Sequence, residues 1–189
     1  RIQSTLGADG SAKLGMPVGT PAAGGPPTIS IAAPVSGSLL GATPVTVSGG
    51  FTGAGVSIQV NGVAATISGS AYSAPVPLAE GANTLTATAT NADGSASASV
   101  SVTLDTTPPV VTISSPVDGS LTATESVVVT GTVIDASPIA SFALNGQNVP
   151  LVGGAFTITV SLNDGANPIT AEASDAAGQV RPPRERSAL

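Results

Sequence analysis

From Thr28 to Leu104 the chain sets an apolar residue at every second position for a few residues, breaks at Gly, Pro or Asn, and resumes. Ile29/Ile31, Val45/Val47, Val56/Ile58/Val60, Val63/Ala65/Ile67, Tyr72/Ala74/Val76/Leu78, Leu85/Ala87/Ala89 and Ala98/Val100/Val102/Leu104 all keep this spacing. Period two puts neighbouring side chains on opposite sides of a strand, so each run predicts a short strand with one apolar face. Ser and Thr, 45 residues in all, fill the alternate positions. The β-branch of Thr suits a pleated surface. Seven such strands in so short a span predict a two-sheet sandwich.

The pattern then repeats. Pro34-Val35-Ser36-Gly37-Ser38-Leu39 returns as Pro116-Val117-Asp118-Gly119-Ser120-Leu121, and Val45 to Gly49 returns as Val127 to Gly131, both 82 residues on. Asn61-Gly62, Tyr72, Leu78, Gly81-Ala82-Asn83 and Gly94 return 84 residues on, as Asn145-Gly146, Phe156, Leu162, Gly165-Ala166-Asn167 and Gly178. Matches in one order at nearly one offset mark a tandem duplication. Each Asn-Gly signals a tight hairpin turn. The expected layout is all-β: an arm at 1–26, a first sandwich at 27–105, a second at 106–181 and a basic tail at 182–189. The arm is rich in Gly and Pro, with one short alternation from Ile2 to Leu6. Asp105-Thr106-Thr107-Pro108-Pro109 forms a stiff boundary between the sandwiches.

Composition narrows the chemistry. The chain has no Cys, His or Trp, so disulfide frameworks, His- or Cys-based zinc sites and Ser-His-Asp or Cys-His catalysis lack their side chains. No basic residue lies between Lys13 and Arg181, a span holding nine acids: Glu80, Asp93, Asp105, Asp118, Glu125, Asp135, Asp164, Glu172 and Asp175. Such a body cannot neutralise phosphates, which argues against nucleic-acid and anionic-membrane partners. No apolar run has the length of a membrane-spanning helix. A mean hydropathy of +0.39 argues against disorder. The start at Arg1, without Met or a signal segment, suggests a mature or excised piece of something longer.

The stretch DTTPPVVTISSPVDGS, the later VTGTV and LNG blocks and the closing DGAN…ITAEASDAAG resemble bacterial immunoglobulin-like repeats over about residues 27–180. Such repeats occur in surface adhesins and stalks, and as accessory domains of secreted polysaccharide hydrolases such as glucodextranase. The resemblance implies an immunoglobulin-like fold and an extracellular or bacterial cell-surface location. It also implies a non-enzymatic structural role, in a filament subunit or a stalk repeat. The alternative is a carbohydrate-binding accessory module, for which Phe51, Tyr72, Phe142 and Phe156 are the whole aromatic supply. Tyr72 and Phe156 fall on the apolar strand face and read as core.

The remaining candidates are the acids and the ends. Asp in turns bonds backbone amides two residues on, which accounts for an isolated Asp before Gly. In a sandwich, however, the start of the first strand and the loops after the second and sixth strands lie at one end. For the second sandwich those positions hold Asp105, Asp135 and Asp175, and the first sandwich should bring Glu80 to the same junction. Four hard oxygen donors without a counter-charge would suit interdomain Ca²⁺, which adhesin repeats of similar sequence use to stiffen stalks. At the far end, Arg181-Pro182-Pro183-Arg184-Glu185-Arg186 does not read as a regular strand. The second sandwich is therefore expected to lack its closing strand. That would leave an edge on which the arm of another copy could pair, joining copies head to tail. Flanking repeats of one longer chain are the other expected partner.

Overall fold

A computed structural model describes residues 24–188, with side chains to residue 181. The Ile2–Leu6 alternation lies outside the described residues. In chain order the strands of the first sandwich are β1 (Thr28–Ile29), β2 (Leu39–Leu40), β3 (Val45–Thr52), β4 (Ser57–Val60), β5 (Val63–Ala64), β6 (Thr66–Ser68), β7 (Ala71–Val76), β8 (Gly81–Asn91) and β9 (Gly94–Leu104). Those of the second are β10 (Val110–Ser115), β11 (Ser126–Ile134), β12 (Ile139–Leu144), β13 (Gln147–Asn148), β14 (Ala155–Ser161), β15 (Asn167–Asp175) and β16 (Val180–Ala188).

The first sandwich packs a β1-β3-β7-β6 sheet against a β2-β9-β8-β4-β5 sheet. The second packs β10-β11-β14 against β13-β12-β15-β16. Inward positions fill two separate cores. Val47, Ile58, Val60, Tyr72, Leu85, Ala87 and Ala89 are buried in the first; Val129, Phe142, Leu144, Phe156, Ile169, Ala171 and Ala173 are their repeat equivalents in the second. Burying a side chain such as Leu85 or Ile169 contributes about 1.5–3 kcal/mol, so the alternation supplies the main driving force of each sandwich.

Both Asn-Gly pairs form the expected hairpin corners. Asn61 and Gly62 take φ of 46° and 84°, and Asn145 and Gly146 take 49° and 75°. Two successive positive φ values match the twist of the flanking strands, and Asn and Gly tolerate them best. Each Asn also ties its corner to the next strand, accepting the Thr86 amide at 2.8 Å or the Thr170 amide at 2.7 Å.

Two features depart from the sequence expectation. The Val63/Ala65/Ile67 alternation is not one strand. Ala65 still donates to Ile58 at 2.9 Å, after which the chain crosses to the opposite sheet and pairs with β7 as β6. The closing strand expected to be missing is present: β16 pairs with β15 from Ser174↔Val180 to Asn167↔Ala188. The prolines are accommodated by place. The register shifts between Ala171 and Ala173, where Pro182 and Pro183 stand against the single residue Glu172. A bulge forgoes ladder bonds already, and β16 is the edge of its sheet, so two missing N–H groups cost little there. The edge of β15 expected to be open to another copy is taken by the chain's own β16.

Candidate metal centre at the junction of the sandwiches

Asp105 follows β9 directly and is anchored in both directions. Its amide donates to Leu40 of the first sandwich at 2.9 Å. Its carboxylate accepts from the Thr107 amide at 3.1 Å and the Thr107 hydroxyl at 2.8 Å, and also from the Ser137 hydroxyl of the second sandwich. Asp135 and Ser137 belong to the β11–β12 loop, where the Ser137 amide donates to Asp135 Oδ1 at 2.8 Å. Asp175 ends β15, and its Oδ1 accepts the Gln179 amide at 2.9 Å across the turn into β16. The last two loops are stitched together by Ala176 N donating to Pro138 at 2.9 Å.

These three loops bring one carboxylate oxygen each of Asp105, Asp135 and Asp175 within 4.8 Å of one another. Asp105 and Asp175 are 2% exposed, while Asp135 is half-buried. Asp175 Oδ2 has no hydrogen-bond partner. Hydrogen bonds from Ser137 and Thr107 hold the Asp105 carboxyl down to about 2. Asp135 is pushed up, first by burial and then by the charges of Asp105 and Asp175, against the opposing pull of the Ser137 amide. Among the described residues, the groups that shift these two carboxyls are hydroxyls, amides and other carboxylates.

Glu80 is near but outside this group. Its two oxygens accept from the Thr106 amide at 3.0 Å and the Thr106 hydroxyl at 2.9 Å, gripping the linker itself. The sequence reading missed Thr107, Ser137 and Gln179. A signal for the first two was available: Asp105-Thr106-Thr107 and Asp135-Ala136-Ser137 share an Asp-x-Ser/Thr spacing, the local pattern in which an Asp carboxylate caps the amide two residues on. A further bridge joins the sandwiches, Gln179 Nε2 donating to Gly41 O at 2.7 Å. Arg181 reaches Pro109 O at 3.5 Å.

Fold and junction together define a tandem pair of immunoglobulin-like β-sandwiches. The model of the family "Glucodextranase, domain B" matches residues 27–107 and again 109–183, and the chain belongs to that family. No curated protein sequence matches the chain. Among solved structures, titin fragments I67–I69 are similar in fold. An E-to-A variant is 17% identical with a TM-score of 0.59 over 87% of this chain, and a second is 18% identical with a TM-score of 0.56 over 85%. This chain spans 65% and 63% of those fragments. The fibronectin(III)-like modules of Clostridium thermocellum CbhA are 18% identical with a TM-score of 0.43, over 84% of this chain and 92% of theirs. The family match supports a non-catalytic accessory module in general terms.

Proposed function

We propose that this protein is a non-enzymatic structural module of the bacterial cell exterior, a stiff two-sandwich spacer in a stalk or filament. The observation that carries this reading is the set of hydrogen bonds that cross the junction of the sandwiches. The linker from Asp105 to buried Pro109 is held by Glu80 on one side and Ser137 on the other, and Gln179 binds Gly41 across the gap. A module that only tethered an enzyme would gain nothing from so many fixed contacts, whereas a spacer depends on them. The presence of β16 favours a spacer among flanking repeats over a filament closed by strand exchange, because the edge that an incoming arm would use is filled.

A carbohydrate-binding role has one point in its favour, the family's name. Against it, Tyr72, Phe142 and Phe156 are buried and Phe51 is half-buried, which leaves no fully exposed ring to stack on a sugar. The test uses the lack of native cysteine. Spin labels at Ser68→Cys and Thr159→Cys, both exposed, report the distance between sandwiches. A stiff spacer gives one narrow distance distribution, and a broad one would refute the reading. Retarded migration in a glucodextran-containing gel would support the carbohydrate alternative instead.

A further inference from the structure

We propose that β14 is a docking edge on which a second copy of this chain pairs antiparallel, strand to identical strand. β14 stands at the end of its sheet. Among the described residues it pairs with β11 on one side. On the other side only Ala155 is taken, exchanging bonds with Val152 at 2.9 and 3.0 Å. Ladder bonds alternate along an antiparallel strand, so the N–H and C=O groups of Thr157, Thr159 and Ser161 face the same open side as those of Ala155.

The duplication supplies an internal control. The equivalent strand of the first sandwich, β7, is shielded twice. β6 pairs with it from Thr66↔Ser73 to Ser68↔Ala71, and Pro75 removes an N–H from the rest of that edge. The second sandwich has lost both devices. Pro150, which cannot donate, stands at the position of Thr66, and Thr159 stands at the position of Pro75. The core registers the difference. Ala74 and Val76 are 0% and 1% exposed, whereas their equivalents Ile158 and Val160 pack against the second core and are only half-buried. The other long edges of the second sandwich are blunted. β16 holds Pro182 and Pro183, and β10 lies between Pro109 and Pro116 with its register shifted between Ile113 and Ser115.

The occupant follows from the sequence of the edge. β14 reads Ala-Phe-Thr-Ile-Thr-Val-Ser, without a charge. On a chain of net charge −6, such a stretch is where two copies meet with least repulsion. Antiparallel pairing about Thr159 sets Thr157 opposite Ser161 of the second copy, Ile158 opposite Val160 and Thr159 opposite itself. Hydroxyls then meet on the outer face and apolar side chains on the inner one, the cross-strand pairs that stabilise a sheet. The pairs so formed are those whose backbone groups face the open side, and at two bonds each they give about six interchain hydrogen bonds. The contact is isologous, so it closes at a dimer. A span from Thr157 to Ser161 on each copy buries less than the roughly 1,200 Å² of a stable interface, which makes the dimer weak and reversible.

The experiment is sedimentation velocity of the full chain from about 10 μM to about 1 mM, a range that covers weak interfaces. The expected result is a monomer–dimer equilibrium with nothing larger. Hydrogen exchange should show the Thr157, Thr159 and Ser161 amides gaining protection as concentration rises, while those of Phe156, Ile158 and Val160, which face β11, stay as they are. Thr159→Pro, which installs the first sandwich's own residue, should weaken the dimer roughly tenfold or more and leave both melting transitions in place. Thr159→Lys sets like charges at the two-fold axis and should give the same loss, which keeps the test decisive if the proline variant fails to fold. Deleting residues 1–23 should leave the dimer unchanged. A monomer throughout that range, a dimer indifferent to both Thr159 variants, protection centred on other strands, or a dimer lost with residues 1–23 would each overturn the proposal.

Discussion

Gly49 and Gly131 occupy equivalent places in the two sandwiches, and each lies beneath the aromatic ring of the neighbouring strand. Gly49 pairs with Tyr72 and Gly131 with Phe156. A methyl group on Gly131 would collide with the Thr112 carbonyl of β10 and come within 2.5 Å of Phe156 Cζ and 2.8 Å of Cε1. Neither neighbour yields easily. Thr112 is held in the β10–β11 ladder, and Phe156 is packed on Phe142 with ring centroids 4.6 Å apart. Overpacking of this kind costs about 1–3 kcal/mol and sometimes more. The removal of a strand glycine returns roughly 0.5–1 kcal/mol. Gly131→Ala should therefore destabilise the second sandwich by about 2–3 kcal/mol, because the carbonyl clash forces backbone to move and places it at the upper end of that range. For a domain this small, such a loss lowers Tm by roughly 10–20 °C. The chain's single Tyr, Tyr72, lies in the first core, so its fluorescence follows the first sandwich alone, while calorimetry and circular dichroism follow both. Gly131→Ala should lower one calorimetric transition and leave the Tyr72 transition in place. A loss under about 1 kcal/mol, smaller than overpacking requires, would mean that the ring and strand relax freely, and the packing account would be wrong.

Three further outcomes are expected. Burial raises the Tyr72 phenol above its ordinary value; the unfolded chain then ionises first, so the first sandwich keeps its full stability below about pH 10 and loses it as pH climbs toward the folded value. Tyr72→Phe should remove that alkaline loss in calorimetry at the cost of the 2.9 Å bond to Ser30 O, about 0.5–1.5 kcal/mol near neutral pH; an unchanged alkaline profile would contradict the assignment. Deleting residues 182–189 strips most of β16 from β15 and should lower the second transition only, whereas unchanged calorimetry would show that this pairing adds nothing. Gly41→Ala points a methyl at the Ala177 carbonyl and 2.8 Å from Gln179 Nε2, so it should broaden the spin-label distance distribution while both melting transitions stay put; a distribution as narrow as wild type would show that this bridge does not fix the junction.

Much of the site was legible because its acids sit at positions that any immunoglobulin-like sandwich gathers at one end. Asp105, Asp135 and Asp175 converge for that reason. Glu80 was expected among them and instead holds Thr106, because a long side chain on a turn takes the nearest free donors, and the linker offers an amide and a hydroxyl. No spacing in the sequence distinguishes those two outcomes.

What the sequence determined by itself is everything that depends on a residue and its close neighbours. Alternation set which faces of the strands would be buried, and Asn-Gly set where hairpins would turn. The absence of His and Cys removed whole classes of chemistry. Tertiary structure decided whatever depends on which strand lies alongside. Pro182 and Pro183 look unfit for a strand until they are set in a bulge on an outer edge. The chain at Ala65 reads as one strand until two sheets compete for it. Asp175 meets Asp105 only because the second sandwich folds against the end of the first. Hydrogen-bond partners of an edge and desolvation of a charge are properties of distant chain brought close, and no local pattern encodes them.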